Sequence, residues 1–267
     1  MSKPIQDHKS IQTITRICLL LLTSFSLLST PEIAIAEKDV EANAKVTFLQ
    51  GDARLVGKGI QKITPLKTND ILMEGDEIET GDTARIEIRL PDESYIRFGE
   101  KTRFILDSSS LNRKQKIRDI SVRMILGKVW AKASKLFSGR GRFAISTRTA
   151  VAGVRGTVYR MSVNEDSSAV VKVYYGEVLV SSKEQSERQE GPQKVEGPKP
   201  IAGPHPIPGP HAVSREEWTH IVSSMQQIVI KSDGTASKPF RFSPEADEDA
   251  WVQWNKKRDE KIDAAAE

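Results

Sequence analysis

The chain has 267 residues, of which 28% are charged, 38% hydrophobic and 6% aromatic, with one cysteine and a formal net charge of +4. That length fits one or two domains, and a single cysteine excludes a disulfide framework or a zinc site built on clustered cysteines. No apolar run approaches the ~20 residues a helix needs to cross a bilayer.

Lys3, Lys9 and Arg16 against Asp7 form a positive leader, and Ile17 to Leu28 is an apolar stretch that ends before Pro31. Ala34-Ile35-Ala36 then offers a small-x-small cleavage pattern before Glu37. This order predicts a secretory signal peptide over 1–36, cut after Ala36. The alternative is an uncleaved anchor, for which the stretch is short. Cys18 precedes the cut, so it is not placed for lipid attachment, and the exported chain would carry no disulfide. The expected location is periplasmic or extracellular.

From 44 to 182 the sequence predicts an all-β unit. Ala44 to Gln50 reads as a strand with a Gly51-Asp52 turn, followed by Ala53 to Val56. Arg85-Ile86-Glu87-Ile88-Arg89-Leu90 alternates charge with aliphatic residues, the period of a half-buried strand. Tyr95–Phe98, Arg103–Leu106, Ser121–Leu126, Lys128–Ala133 and Arg142–Ser146 follow, then Thr157–Val163 and Ala169–Tyr175 around the polar turn 164–167, and Val178–Val180. About ten short strands at ~8–12-residue spacing, with no helical pattern among them, define the class.

Residues 183–212 carry glycine and proline at a density that serves neither a ladder nor a helix, so they read as an extended linker. The tail, 213–267, is expected to be helix-hairpin-helix. Ser214 and Glu217 are spaced for a capping box, with Trp218, Ile221, Val222 and Met225 at helical spacing. Gln227–Ile230 then runs into an Asp233-Gly234 turn. Ser243-Pro244 starts a last helix, on which Trp251 and Trp254 share a side. A tail this short is small for a core of its own and is expected to dock on the β unit.

Several segments, read together, resemble the FecR domain family of bacterial envelope proteins. Gly75-Asp76-Glu77-Ile78-Glu79-Thr80-Gly81, with Ala84–Leu90 and Asp92-Glu93-Ser94-Tyr95-Ile96, is similar to the family's opening pattern. Leu126–Ala131, Phe143–Thr157 and Val173–Val178 continue it, and Thr149-Ala150-Val151-Ala152-Gly153-Val154-Arg155-Gly156-Thr157 is similar almost position for position. Glu93 stands where the family has glycine and Arg148 where it has proline. The resemblance spans roughly 44–182 and implies a solenoid-like stack of short strands. In the family's namesake the domain receives a signal from an outer-membrane transporter. The namesake also has a membrane helix and a cytoplasmic segment that controls a sigma factor. No second apolar span follows the leader, so this sequence is not expected to carry a signal across the inner membrane by itself.

The residues have a physical reading beside the resemblance. Gly75, Asp76, Thr80 and Gly81 suit reverse turns, and Gly153, Gly156 and Thr157 suit a tight bend around Arg155. Arg155 could close backbone carbonyls of that bend or clamp a ligand. These motif residues are expected to be structural. No catalytic motif is present, and His205, His211 and His220 lie in the linker and tail without metal spacing. No cofactor, no metal and no catalytic residue is expected.

Charge is uneven. Residues 113–148 hold eleven Lys and Arg against Asp119 alone, +10 in a chain of +4. Such a segment attracts polyanions or merely keeps a sheet soluble. Export would remove nucleic acid as a partner, leaving an envelope protein or a polyanionic envelope component. The candidate surface is Lys128, Lys132, Lys135, Arg140 and Arg142. Trp218, Trp251 and Trp254 are candidate tail contacts, with Trp251 and Trp254 able to stack on sugar rings or pack on the domain. The function expected is a non-catalytic envelope binding module, with sensing or signalling as its role. Alternatives are a structural scaffold or assembly subunit, and more distantly a cell-wall-active enzyme. Oligomeric state is left open.

Overall fold

Period-two alternation of aliphatic and polar residues gives each strand one face for a core, and the chain is built from such strands. The computed structural model describes residues 40–41, 44–57, 63–135, 140–154, 156–183 and 218–266. The predicted leader, nearly all of the linker, Ser214, Glu217 and Arg155 lie outside the described residues.

In chain order the strands are β1 (Val40–Glu41), β2 (Ala44–Gln50), β3 (Ala53–Val56), β4 (Ile63–Pro65), β5 (Ile71–Leu72), β6 (Glu77–Thr80), β7 (Arg85–Arg89), β8 (Tyr95–Phe98) and β9 (Arg103–Asn112). They continue with β10 (Ile117–Lys132), β11 (Arg140–Ser146), β12 (Ala150–Val154), β13 (Val158–Val163), β14 (Ala169–Tyr175), β15 (Glu177–Ser182), β16 (Thr219–Ser223), β17 (Gln226–Ile230) and β18 (Phe240–Arg241). A single helix, α1 (Ala250–Ala266), ends the described chain.

The strands form two open sheets that share β10. Sheet A runs β4-β3-β6-β9-β10-β11-β12-β15-β16, with β1 also on β9. Sheet B runs β5-β2-β7-β8-β10-β13-β14-β17-β18. Of these pairings only β10 with β11 is parallel, so the fold is mostly β and mixed. Strand β10 pairs in sheet A up to Leu126 and in sheet B from Gly127. Its inward set changes parity there: Ile120, Val122 and Met124 are buried on one side, Val129 and Ala131 on the other. Gly127, at φ +99, makes the step, and a Cβ there would lie 2.5 Å from the Thr102 Cα. The two strands expected at 121–126 and 128–133 are therefore one strand of 16 residues.

One continuous apolar core lies between the sheets. It takes Val46, Ile86, Ile88, Ile96 and Phe98 from one side and Ile78, Phe104, Ile120, Ile145 and Val180 from the other, all essentially inaccessible.

The tail departs from expectation. The helix predicted from 214 is instead β16, paired with β15 at the end of sheet A, and β17 extends sheet B beside β14. Of Trp218, Ile221, Val222 and Met225, only Ile221 and Val222 lie in β16, and Met225 sits at φ +61 in the turn to β17. Val222 faces the core while Thr219 and Ile221 face out. Thr219, Ile221 and Val222 are β-branched, and an open sheet edge is available to them. The β unit thus does not stop at 182. The last helix begins at Ala250, later than Ser243-Pro244, because 244–247 form a turn closed by the Asp247 N–H on the Ser243 and Pro244 carbonyls. Asp249 caps it, its side chain accepting from Val252 N at 2.8 Å.

Candidate functional site

Across the outer face of sheet B one register row reads Phe48, Glu87, Arg97, Trp130, Arg160, Lys172 and Gln227 on seven neighbouring strands. The strands contribute one carboxylate to it, Glu87. Residues of the C-terminal segment cover the row. Arg97 donates to Glu87 at 2.6 Å and to Asp259 at 2.7 Å, and is fully buried. Asp259 also accepts from the Trp130 indole at 2.9 Å. Arg258 reaches back to Glu87 with two hydrogen bonds, 2.7 and 2.8 Å. Asp247 accepts from Arg160, from Lys172 at 2.6 Å and from the Tyr174 hydroxyl. One row further along, Lys132 pairs with Asp263.

The charges tune one another. Burial pushes the Glu87 carboxyl up, but the bonds from Arg258 and Arg97, the Arg97 charge and the Thr47 hydroxyl outweigh it and bring it from 4.5 to about 2. Asp247 is likewise lowered, burial opposing the bonds from Lys172 and Tyr174. Burial, then the bond to Asp247, raises Tyr174. The seam also has an apolar centre: Trp130, Trp251 and Val252 are buried together, with Val158, Tyr174 and Trp254 against them.

Of the motif residues expected in turns, Gly75, Asp76, Gly81, Gly156 and Thr157 lie between strands, whereas Thr80 ends β6 and Gly153 lies within β12. Thr80 donates to the Gly99 carbonyl at 2.7 Å and accepts from Thr102 N at 2.8 Å. Asp76 accepts from Met73 N at 2.7 Å, and Thr157 donates to the Glu177 carbonyl at 2.9 Å. Gly75 and Gly156 adopt positive φ; Gly81 and Gly153 do not. Thr80 and Gly81 also border a cleft of about 490 Å³ with Arg54, Pro65 and Asp82. Residues 76–179 match the family model for FecR protein. The chain carries a FecR domain.

No curated protein matches the sequence. Two crystal structures of a candidate anti-sigma factor from Parabacteroides distasonis are similar at 15% identity, with TM-scores of 0.42 and 0.41. The likeness covers 63% of this chain and 61% of theirs. At this identity it says nothing of activity or partners.

The FecR domain accommodates its departure at Glu93 by placing that residue at φ +68, the conformation for which the family's glycine is suited. Beside it, the buried Asp92 takes bonds from Ser94 and from Arg118 at 2.7 Å.

The proposed basic surface is not an unopposed field. Lys128 pairs with Glu100 at 2.6 Å, Arg142 with Asp119 at 3.1 Å and Lys132 with Asp263, while Lys135 donates to the Tyr175 hydroxyl at 2.9 Å. Arg118 is buried on Asp92 and Arg123 pairs with Asp107. The side chain of Arg140 lies outside the described residues. Neighbouring strands and the tail supply carboxylates that the segment itself lacks. Trp251 is 3% exposed and stacks with Trp254 at 5.3 Å, so it packs on the domain and is not open to a sugar ring. Trp218 donates to the Gly234 carbonyl at 2.8 Å. Among the described residues no group of His, Cys, Asp or Glu is placed to hold a metal, and no helix is long and apolar enough to cross a membrane.

Sequence reasoning missed Glu87, Arg97, Arg160, Lys172, Asp247 and Asp259. Charges alternating along a strand look solvated, and only the acidic residues of the tail hinted at counter-charges for them.

Proposed function

We propose that this chain is a non-catalytic interaction module of the cell envelope, built on a FecR domain and serving sensing or signalling by binding an envelope protein or polyanionic component. The FecR match over 76–179 carries this reading. It is supported by Asp76, Thr80 and Thr157 each being engaged in hydrogen bonds that hold the backbone, while the charged row of sheet B is the domain's chemically distinctive face. Export rests on the order of positive leader, apolar stretch and Ala34-Ile35-Ala36.

A solenoid-like stack is the finer reading of the architecture. Its support is the alternation of the chain between sheets, at β2/β3, β6/β7 and β8/β9 on one side of β10 and at β12/β13, β14/β15 and β16/β17 on the other, successive steps on each side lying next to one another.

Affinity capture with residues 37–267 from an envelope extract tests the function. The expected result is a discrete protein or anionic polymer retained at low salt, together with N-terminal sequencing of the cellular protein that begins at Glu37. Recovery of nothing but background, or hydrolysis of cell-wall material by the purified chain, would overturn it.

A further inference from the structure

We infer that the cationic row of sheet B is a binding surface for an acidic, aromatic-bearing segment of a partner protein, and that the chain's own C-terminal segment occupies it as a displaceable stand-in. This deepens the proposed function and rests on it.

The row's cations, Arg97, Arg160 and Lys172, are fixed on strands within the sheet, while Asp247 and Asp259, which answer them, come from one segment 75 to 162 residues away in sequence. That segment is acidic: residues 244–266 carry seven Asp or Glu against four Lys or Arg. It is held by ion pairs together with an apolar footing in which Trp251 and Val252 are buried beside Trp130 and Trp254 packs against them. Its exposed pair, Lys132 with Asp263, weakens as salt shortens the screening length from ~8 Å at physiological ionic strength to ~3 Å at 1 M, whereas the buried pairs at Arg97 and Asp247 are screened much less.

The fit of the stand-in is also incomplete. Arg97 Nη2, Arg160 Nε and Trp251 Nε1 are buried without a hydrogen bond among the described residues. Each buried donor left unmade is a free-energy deficit, and a carboxylate that met Arg97 Nη2 or Arg160 Nε would bind better than the resident ones. The surface alternates cations with the rings of Phe48, Trp130 and Tyr174, which Trp251 and Trp254 cover. Alternating charge and aromatic surface matches a peptide with both kinds of side chain and not a polymer of charge alone.

Amide hydrogen exchange on the unmodified chain from 37 onward tests this, with an Asp-rich helical peptide containing two tryptophans at i,i+3 as the probe. At low salt the probe is expected to accelerate exchange in 250–266 while leaving β10 and β13 unchanged. In a triple variant, Asp247→Asn, Asp259→Asn and Asp263→Asn, the probe should bind about tenfold or more tighter, because the competitor is removed. Adding Arg160→Gln and Lys172→Gln should abolish that gain. Three results would overturn the inference: exchange in 250–266 unmoved by the probe, a triple variant whose helix stays equally protected, or tighter binding to polyglutamate or to anionic lipid vesicles than to the peptide. Should the triple variant fail to fold, the exchange result on the unmodified chain decides alone. Envelope capture that succeeds while these fail would retain the interaction module and reject only this surface for it.

Discussion

Between the sheets, burial is apolar. Phe98 and Phe104 stack with ring centroids 3.5 Å apart, and the residues around them are aliphatic. Under α1, burial joins ions to a small aromatic cluster: Arg97 is as inaccessible as Phe98, yet it sits among Glu87, Asp259 and Asn255. The first region gains stability from water leaving apolar surface, which depends little on salt or protonation. The second depends on every charge keeping its partner, since removing a partner from a buried ion is costly while the intact pair adds little net stability. One region defines the fold, and the other decides whether its end stays closed.

The largest effect should come from the apolar side. Phe98→Ala removes half of the ring stack and leaves a cavity, an expected loss of ~3–5 kcal/mol from a total of ~5–15. Urea unfolding at low and high salt should show the same loss. A loss that shrinks with salt would mean that the two regions are coupled through the sheet, contrary to the comparison.

Acid should act on the ionic side. The Glu87 carboxyl is lowered in the folded chain from 4.5 to about 2, so its charged form stabilises the fold above the unfolded value. That stability is lost as pH falls from 4.5 through about 2, roughly 3 kcal/mol in all. Asp247 shifts in the same direction and steepens the loss. Denaturation curves for the parent and Glu87→Gln should converge as pH drops over this window. Curves that stay parallel would show that Glu87 gains nothing from Arg97 and Arg258.

What was legible in the sequence follows this division. Alternation at 85–90 identified β7 and its core residues Ile86 and Ile88, because a sheet face next to a core must repeat every second residue. The same alternation placed Glu87 outward without revealing that outward meant under α1. Trp218–Met225 failed differently, since apolar residues at i, i+3, i+4 and i+7 have the spacing of a helix face and not of a strand. The sheet edge at β15 resolved it, and edges are tertiary features. At 75–81 the turn residues were visible in the motif but the strand between them, β6, was not. Thr80 lies at the end of β6, with its hydroxyl bonded to Gly99 and Thr102, sequence-distant partners no local pattern discloses.

Gly156→Val should cost less, about 1–3 kcal/mol, from a branched side chain forced to positive φ. Gly156 sits at φ +64, and its added Cβ would meet the Lys135 side chain at 2.7 Å, a neighbour flexible enough to move. Most of the cost is therefore backbone strain. Thermal melts should show it without a change in the salt dependence of the α1 contact. An unchanged melting temperature with loss of partner binding would move Gly156 from the turn to the site.

The smallest expected effect runs the other way. Tyr159 is fully buried among the apolar core residues, and its hydroxyl has no hydrogen bond among the described residues. Burial alone pushes its ionisation up, with no charged neighbour contributing. A polar group there belongs to the chemistry of the seam but stands in the region between the sheets. Tyr159→Phe removes the unmet donor and keeps the ring, so stability should rise by about 1 kcal/mol. The gain should be equal at every pH below the phenol range, because neither form of the side chain carries charge there. Equilibrium denaturation of the pair measures it directly. A loss of stability would mean that the hydroxyl is satisfied, as by an internal water, and that the interior between the sheets is less uniformly apolar than its residues indicate.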